Sequence, residues 1–393
     1  MWKKIYKRMT AFALACAMSV MLAGCGNNDD KTKWQLGSAI SEDELTEDAI
    51  SDGSSPDDAS PIDASSLDDC AYALPDPTSE EAIAEQERFH TYLMDNFKES
   101  VTSDTVTLHY TVANPADYDL EVPTATFGDA DVSEEAMAKD KQETVDEQTE
   151  LESFDYDLLT GSQKYTYDVL KDYLALNLES YDYTYLYEPF AYTSGLQTNM
   201  PINMSEYKFY NEGDVQDYLA LLGQMSDYYD AYLALEEKKI EKGTFMNDHS
   251  ASEVVRQCKE FIQTPEENLL IATFEDKVRG VEGLSEEQIQ DYITQNHDTV
   301  INSVIPCYEK VIDFFSIHEG DGTNDLGLAH LDHGTDYYAY LLKDKVGTDK
   351  TPEEVINCLD NKITDILNEY QTTALANYSA YEQYYNDASD DLY

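Results

Sequence analysis

Two groups of polar side chains in this sequence have residue types that could bind a ligand or take part in catalysis. The first group combines imidazole, carboxylate and phenol side chains: His330, His333, Asp336, Tyr337 and Tyr338. Their spacing would place them on one helix face or around the mouth of a pocket. The alternative is a polar loop that leads into a helix whose tyrosines pack in the core, and for metal binding we favour it. We predict that four of these residues line a substrate cleft: His330, His333, Tyr337 and Tyr338.

The second group lies between Glu188 and Tyr207, a segment that carries Pro189, Gly195 and Pro201 and has no sustained period. We therefore expect a long irregular segment, and such segments are often functional. The side chains that could hydrogen-bond a ligand there are Tyr192, Gln197 and Asn199. The equally supported alternative is that polar side chains in this segment satisfy buried backbone groups where no helix does so.

Motifs of well-characterised catalytic sites are absent from the sequence. It contains no His-Glu-x-x-His, no Gly-x-Ser-x-Gly, no phosphate-binding loop and no dinucleotide fingerprint. The segment at 321–325 has some residue types of a calcium loop, but it lacks the alternating ligands, the central glycine and the terminal glutamate. The motifs therefore assign neither a catalytic residue nor a metal ligand.

The amino terminus has the pattern of a lipoprotein signal peptide. A basic start at 1–8 precedes an uncharged apolar run at 9–22, which is too short for a stable transmembrane span. The run ends in LAGC at 22–25, which resembles the lipobox of bacterial lipoproteins. We predict cleavage before Cys25, lipidation of its thiol and anchoring to the extracytoplasmic face of the cell membrane. An ordinary secretory signal with a chance cysteine is the alternative.

The composition limits the partners. The net charge is −55, from 80 Asp and Glu against 25 Lys and Arg. Such a chain has no general basic face for nucleic acid, so we expect no nucleic-acid partner. The expected partners are the membrane, through the lipid, and a peptide substrate. The chain can bury a large core, because it contains 31 Tyr and 12 Phe.

Four cysteines follow Cys25 in the sequence: Cys70, Cys258, Cys307 and Cys358. They are widely spaced, and no Cys-x-x-Cys occurs. The last three lie in apolar helical patterns, which predicts buried thiols. The sequence leaves open whether two of the four form a disulfide.

The elements that must position these groups are predicted to be almost all helical. The predicted units are the signal peptide (1–24), the lipidated cysteine with a flexible acidic stalk (25–75) and a helical domain (76–393). Apolar periodicity and capping residues predict helices from about Thr78 and at 130–152, 162–178, 214–240, 251–263, 265–279, 285–316 and 352–385. The alternating segment at 106–112 is predicted to be a short strand or an extended segment. The expected class is all-α, a large multi-helix, bundle-like domain with long irregular loops and at most a small β element.

Several sequence blocks together resemble a known family. The blocks are FDYDLLTGSQKYTYDVLKDYL (154–174), PFAYTSGLQTNMPINMSEYKFYNEGDVQDYLALL (189–222), EKGTFMNDHSASEVVRQCKEFI (241–262), NLLIATFEDKV (268–278) and GLAHLDHGTDYYAYLLKDKVGTDKTPEEV (327–355). In this order they resemble the bacterial family called domain of unknown function 885, in its exported lipoprotein form. The resemblance covers roughly residues 80–380.

The resemblance implies a mostly helical fold, similar in style to helical zinc peptidases, and a zinc-dependent hydrolase activity. In the family a His-Glu…Pro-Gly-His motif in the carboxy-terminal part would carry that activity. This chain reaches Tyr393 before any such motif, so no metal ligand is carried over and no cofactor is expected in it. The positions 195–197 (GLQ) and 337–338 (YY) match family blocks and would lie near the cleft.

We therefore predict a membrane-anchored extracytoplasmic lipoprotein that resembles these metallopeptidase-like hydrolases but is inactive by itself. The alternative is a non-catalytic surface lipoprotein that binds peptides or other substrates. A third interpretation is a purely structural surface protein.

Overall fold

The computed structural model describes residues 76–322 and 324–378, and every regular element in these ranges is helical. The predicted all-α class is therefore confirmed, and the described ranges contain no β-strand. The predicted signal peptide, Cys25, the acidic stalk and Cys70 lie outside the described residues.

The α-helices of the described residues are α1 (Glu80–Val101), α2 (Thr105–Thr111), α3 (Glu134–Glu152), α4 (Gly161–Ser180), α5 (Leu196–Glu206), α6 (Glu212–Lys242), α7 (Asp248–Ile262), α8 (Leu269–Ala272), α9 (Phe274–Arg279), α10 (Glu286–Thr299), α11 (Ile305–Ile317), α12 (Gly334–Leu341) and α13 (Pro352–Ala376). Short 3-10 turns join several of them, and π turns lie at Val300–Val304 and Leu342–Val346.

Polar side chains set where several helices begin. Ser79 caps α1, close to the predicted start. Reciprocal capping boxes join Ser285 with Gln288 at α10 and Thr351 with Glu354 at α13. These side chains satisfy amides that have no partner within their own helix, which is why the sequence could place these starts.

Helix α6 lies at the centre of the largest core. Its predicted apolar stripe is buried: Tyr218, Leu221, Leu222, Met225, Tyr229 and Tyr232. The helix packs against α10, α11 and the π turn between them, and α11 also packs along α7. Two smaller clusters lie along α1, one shared with α3 and α4 and the other with α2.

Helices α10 and α11 form one helical run, as predicted for 285–316, but a π turn interrupts its register. Pro306 has no amide hydrogen for the carbonyl of Asn302, and its ring crowds that carbonyl. In the π turn the amide of Ile305 bonds to the carbonyl of Val300 instead. The π turn therefore lets the helical run continue past Pro306 instead of ending there.

The prediction of a strand or extended segment at 106–112 is wrong, because this segment forms α2 and its carboxy-terminal cap. Asp104 accepts a hydrogen bond from the amide of Thr107 at 2.8 Å and starts the helix. Leu108 and Val112, four residues apart, then face the same small core beside α1. Burial of this helical pair outweighs the β preference of the individual residues.

The prediction of an irregular segment throughout 188–207 is also wrong in its second half, where α5 forms around Pro201. Pro201 cannot donate to the carbonyl of Gln197, four residues earlier. The buried hydroxyl of Tyr308 donates to that carbonyl at 2.8 Å. A tertiary hydrogen bond thus replaces the missing helical one, which no local pattern could reveal.

The predicted single helix at 265–279 is broken into a 3-10 turn, α8 and α9. The break is at Asn268, whose side chain accepts the amide of Leu270 at 3.0 Å and donates to the carbonyl of Phe261 at 2.9 Å. One buried amide group therefore joins the last turn of α7 to the start of α8.

Helix α13 has an apolar stripe but no buried residue. Seven of its large apolar side chains are more than half exposed: Ile356, Leu359, Ile363, Ile366, Leu367, Tyr370 and Leu375. Cys258 and Cys307 are buried free thiols as predicted, whereas Cys358 on α13 is exposed, so that part of the prediction is wrong. No helix within the described ranges is both long and apolar enough to cross a bilayer.

Two leucine-to-alanine substitutions should show that the buried core contributes far more to the free energy of unfolding than the exposed stripe of α13. Leu221→Ala removes a fully buried side chain from α6 and should lower the free energy of unfolding by about 3 kcal/mol. Leu359→Ala should change it by about 0.5 kcal/mol or less, since the side chain is exposed. Urea unfolding measures both values, and equal losses would contradict this description of α13.

Candidate functional site

A cleft of about 720 Å³ opens between α2 and the junction of α5 with α6. Its walls come from α2, from the loop at 113–123 and from residues 207–217. The groups that could contact a ligand there are one imidazole, two carboxylates and three phenols: His109, Asp214, Asp217, Tyr110, Tyr207 and Tyr210.

The carboxy-terminal end of α5 is held by Lys277 and Tyr110. Lys277 donates three hydrogen bonds of 3.0–3.3 Å, to the carbonyls of Met204, Ser205 and Tyr207. The Tyr110 hydroxyl donates to the carbonyl of Glu206 at 3.2 Å. Burial lowers the pKa of Lys277 to about 8. Because the last carbonyls of a helix have no amide partner within it, these bonds fix where the chain leaves α5 and so place Tyr207.

Asp214 lies in the first turn of α6 and joins the other parts of the site. One carboxylate oxygen accepts the amides of Tyr210 and Asn211 at 2.8 and 2.9 Å. The other oxygen lies 3.4 Å from Nδ1 of His109. Asn211 completes a reciprocal capping box at the start of α6. A negative charge is favoured at this position by the helix dipole.

Three tyrosine rings surround the His109 imidazole. The Tyr207 ring stacks on it with centroids 4.2 Å apart, and the Tyr210 ring stacks on it at 5.3 Å. The Tyr110 ring meets it edge-on at 4.9 Å. The His109 side chain is only 6% exposed, whereas Tyr210 is 66% exposed. The imidazole is therefore buried against the protein, and the exposed ring of Tyr210 lies on its solvent side.

The two carboxylates of the cleft have different environments. For Asp214, burial acts to raise the pKa, but hydrogen bonds from His109 and from the amides of Tyr210 and Asn211 lower it below its ordinary value. For Asp217, one helical turn later, burial and the charge of Asp214 raise the pKa. Asp214 is thus a paired carboxylate, while no described residue hydrogen-bonds to Asp217.

Two buried polar atoms beside the cleft have no hydrogen-bond partner among the described residues, Nε2 of His109 and the hydroxyl of Tyr207. An unpaired buried polar group costs about 1–3 kcal/mol. Burial also raises the pKa of Tyr207 far above its ordinary range, so its hydroxyl stays protonated and can donate. Such atoms, grouped at a concave surface, indicate a place where a ligand supplies the missing hydrogen bonds.

A second concavity of similar volume lies between α7 and α11. Its most prominent charge, Arg256, is already bonded to Glu253 at 2.9 Å and to Glu260 at 2.7 Å. The cleft at α2 is the stronger candidate because two buried polar atoms beside it, Nε2 of His109 and the hydroxyl of Tyr207, lack partners among the described residues.

Of the predicted site residues, Gln197 and Asn199 bond to the loop that precedes α5. Gln197 donates to the carbonyl of Ala191 at 3.0 Å, and Asn199 donates to that of Ser194 at 2.9 Å. These bonds match the alternative in which the polar side chains satisfy loop backbone. Tyr192 is partly exposed and lies near His249. That these residues also line a substrate cleft stays a prediction.

The other predicted group lies on and before α12, which packs against α4, whereas α5 packs against α7 and α8. Tyr337 is buried, and burial, followed by nearby Tyr340, raises its pKa well above the ordinary range. Tyr338, His330 and His333 are exposed, and Nδ1 of His333 lies 3.6 Å from Asp336. Their role in a substrate cleft also stays a prediction.

A catalytic zinc ion needs three protein ligands. The described residues contain no group of three or more His, Cys, Asp or Glu side chains placed to hold a metal ion. They therefore do not supply the donor set that the family resemblance implies.

None of the site residues predicted from the sequence lines this cleft. His109 lies in the segment that was predicted to be extended, so its approach to the start of α6 was not foreseen. Asn211 and Asp214 have the spacing of a capping box, and Tyr210, Asp214 and Asp217 follow at four and three residues. That helical spacing was the available signal for a polar face at the start of α6.

Comparison with known proteins gives one family and one fold. A family model described as "Bacterial protein of unknown function (DUF885)" matches residues 128–391, more than half of the chain. The match includes Asp214 and Asp217 but begins after α2. No curated protein matches the chain.

Among solved structures, the chain is similar to one described as "the putative lipoprotein from Colwellia psychrerythraea". The TM-score is 0.62 and the sequence identity is 15%. The alignment covers 74% of this chain and 51% of that chain, so this chain spans about half the length of the solved structure. At this identity the similarity concerns the fold alone.

Asp214→Asn should lower the free energy of unfolding at pH 7 by about 2 kcal/mol, because charge-assisted hydrogen bonds are lost. The pKa of Asp214 is lower in the folded protein than its ordinary 3.8, so the stabilisation is present above that pH and is lost as the pH falls. The difference from the unmodified protein should therefore shrink between pH 7 and pH 3 in urea unfolding.

Asp217→Asn is the matched control, one turn further along the same helix. Folding raises the pKa of Asp217, so a neutral side chain there should maintain or increase stability at pH 7. If both variants lost the same stability, the different roles of the two carboxylates would be refuted.

Proposed function

This chain belongs to the bacterial family of unknown function DUF885, and we propose that it is a lipid-anchored extracytoplasmic protein that binds peptides in the cleft between α2 and α6. The proposal assigns ligand binding, and neither a zinc ion nor a catalytic residue, to this chain. The hydrolase activity that the family resemblance implies is the competing outcome in the experiments below.

Two sequence features support the anchor. The basic, apolar and LAGC segments follow one another in the order of a lipoprotein signal, and they place a thiol at Cys25. The acidic, Ser- and Pro-rich segment that follows has the composition of a spacer between a lipid and a folded domain. The word lipoprotein in the description of the similar Colwellia psychrerythraea protein agrees with this assignment.

The observation that carries the binding proposal is the pair of unpartnered polar atoms on His109 and Tyr207. A peptide has amide donors and carbonyl acceptors along its length, which can form hydrogen bonds with both of these atoms. The lining of the cleft also includes the apolar side chains of Leu108, Val112 and Pro123. A concave site with apolar walls and a few oriented polar groups is typical of small-ligand sites, whose volumes are about 300–1,000 Å³.

Replacing Cys25 with Ser should move the protein from the membrane fraction to the soluble extracytoplasmic fraction, since the thiol that accepts the lipid is gone. Metabolic labelling with palmitate should mark the unmodified protein and not the Cys25→Ser variant. Cys70→Ser is the control and should remain labelled and membrane-bound. Palmitate incorporation into Cys25→Ser would refute the anchor.

Val122→Trp should weaken peptide binding, because the new side chain would occupy part of the cleft. Val122 is 61% exposed, so its replacement should leave the fold intact. We expect about tenfold weaker binding of a pool of blocked tripeptides, which corresponds to about 1.4 kcal/mol. Fluorescence anisotropy of the labelled pool measures the affinity, and the thermal midpoint checks folding.

Val346→Trp is the matched control, because Val346 is 60% exposed and does not line the cleft. Equal binding by both variants would place the peptide elsewhere. Mass spectrometry of the pool, with and without added zinc, tests catalysis. Cleaved tripeptides would favour the hydrolase alternative over binding alone.

A further inference from the structure

We propose that the cleft selects the guanidinium group of arginine side chains, which would lie against Asp217, His109 and the exposed ring of Tyr210. The inference rests on the proposed function of the cleft as a peptide site and names the side chain that the site prefers. Three features of the cleft lead to this choice.

The first feature is the direction in which His109 can form hydrogen bonds. Its Nδ1 lies 3.4 Å from the carboxylate of Asp214, which is itself held by two backbone amides. This geometry assigns a proton to Nδ1, and in the neutral imidazole Nε2 then carries a lone pair. Nε2 is buried and has no partner among the described residues. A ligand group that completes the neutral imidazole at this atom is a hydrogen-bond donor.

The second feature is the unpaired carboxylate of Asp217. It lines the same cleft, one helical turn from Asp214, and no described residue forms a hydrogen bond or an ion pair with it. Asp214 already binds His109 and two amides, whereas Asp217 keeps its acceptor capacity for a ligand. A second acceptor with a negative charge favours a donor that carries a positive charge.

The third feature is the aromatic surface. The Tyr110 hydroxyl is bonded to the carbonyl of Glu206, so this ring is held in place. The Tyr210 ring is 66% exposed, and exposed side chains change rotamer within nanoseconds. Because the Tyr210 ring stacks on the imidazole at 5.3 Å, a change of its rotamer would open space beside His109 for a ligand.

Arginine meets all three requirements at once. Its guanidinium is planar and permanently charged, carries five N–H donors and stacks on aromatic rings. The ammonium of lysine supplies the charge, but it is a compact and strongly hydrated group without a flat face. A neutral side chain supplies no charge to offset that of Asp217. The aliphatic stem of arginine can lie along the apolar wall of the cleft.

The experiment compares four blocked tripeptides that differ only at the central residue, which is arginine, citrulline, lysine or glutamate. Citrulline keeps the shape of arginine and removes its charge. Titration calorimetry uses the full chain with Cys25→Ser, purified from the soluble fraction. We expect the arginine peptide to bind about tenfold more tightly than the citrulline peptide, with lysine between them and glutamate weakest.

Three variants test the assigned contacts, and a fourth is a control. Asp217→Asn should reduce the ratio of arginine to citrulline affinity to about one. Asp227→Asn removes the same charge ten residues later on α6, where the side chain is exposed and outside the cleft, and should keep the preference. Tyr210→Phe should keep arginine binding, whereas Tyr210→Ala should weaken it.

The outcomes separate the two proposals. If none of the tripeptides binds, the proposed function fails and the arginine inference fails with it. If the peptides bind but arginine and citrulline bind equally, or Asp217→Asn keeps the preference, only the arginine inference fails. Lysine binding as tightly as arginine would also overturn it, because the planar group would then have no role.

Discussion

The carboxylate of Asp214 connects the elements from which the cleft is built. It accepts the amides of Tyr210 and Asn211 at the start of the 31-residue α6 and lies 3.4 Å from His109 on α2. A helix start needs such an acceptor in any case, because its first amides have no partner within the helix. One side chain, that of Asp214, thus both caps the helix and orients the imidazole. The geometry of the cleft is therefore tied to the stability of the longest described helix.

Buried tyrosine hydroxyls act in two ways in this fold. In the core they supply hydrogen bonds that the backbone lacks, as when Tyr308 donates to the carbonyl that Pro201 leaves without a partner. Beside the cleft, the hydroxyl of Tyr207 is buried and has no partner among the described residues. Tyr308 is thus satisfied where it supports a helix, whereas Tyr207 keeps an unpaired hydroxyl beside the cleft. What distinguishes the cleft is that unpaired atoms of two stacked side chains, Tyr207 and His109, lie together beside a concave surface.

The energetic cost of a negative charge in this protein depends on where the carboxylate lies, and not only on how many acidic residues the chain contains. The chain has a net charge of −55, and many of the acidic side chains within the described ranges lie on exposed helix faces, where water screens them. Asp217 differs, because burial and the neighbouring Asp214 make its charge costly. A cation that enters the cleft would offset this cost, whereas a cation at an exposed carboxylate gains little. Strong acidity of the whole chain therefore does not by itself locate a binding site.

The sequence by itself determined the helical class, the capped starts of α10 and α13, and the buried stripe of α6, because caps and apolar periodicity are local properties. It also indicated the family, through blocks that remain in order along the chain. Only the tertiary structure decided that 106–112 is helical and that α5 continues through Pro201, since burial beside α1 and a hydroxyl from α11 determine these. The cleft, too, was decided only by the tertiary structure. His109 and Asp214 are separated by more than a hundred residues, and only the packing of α2 against the start of α6 brings their side chains together.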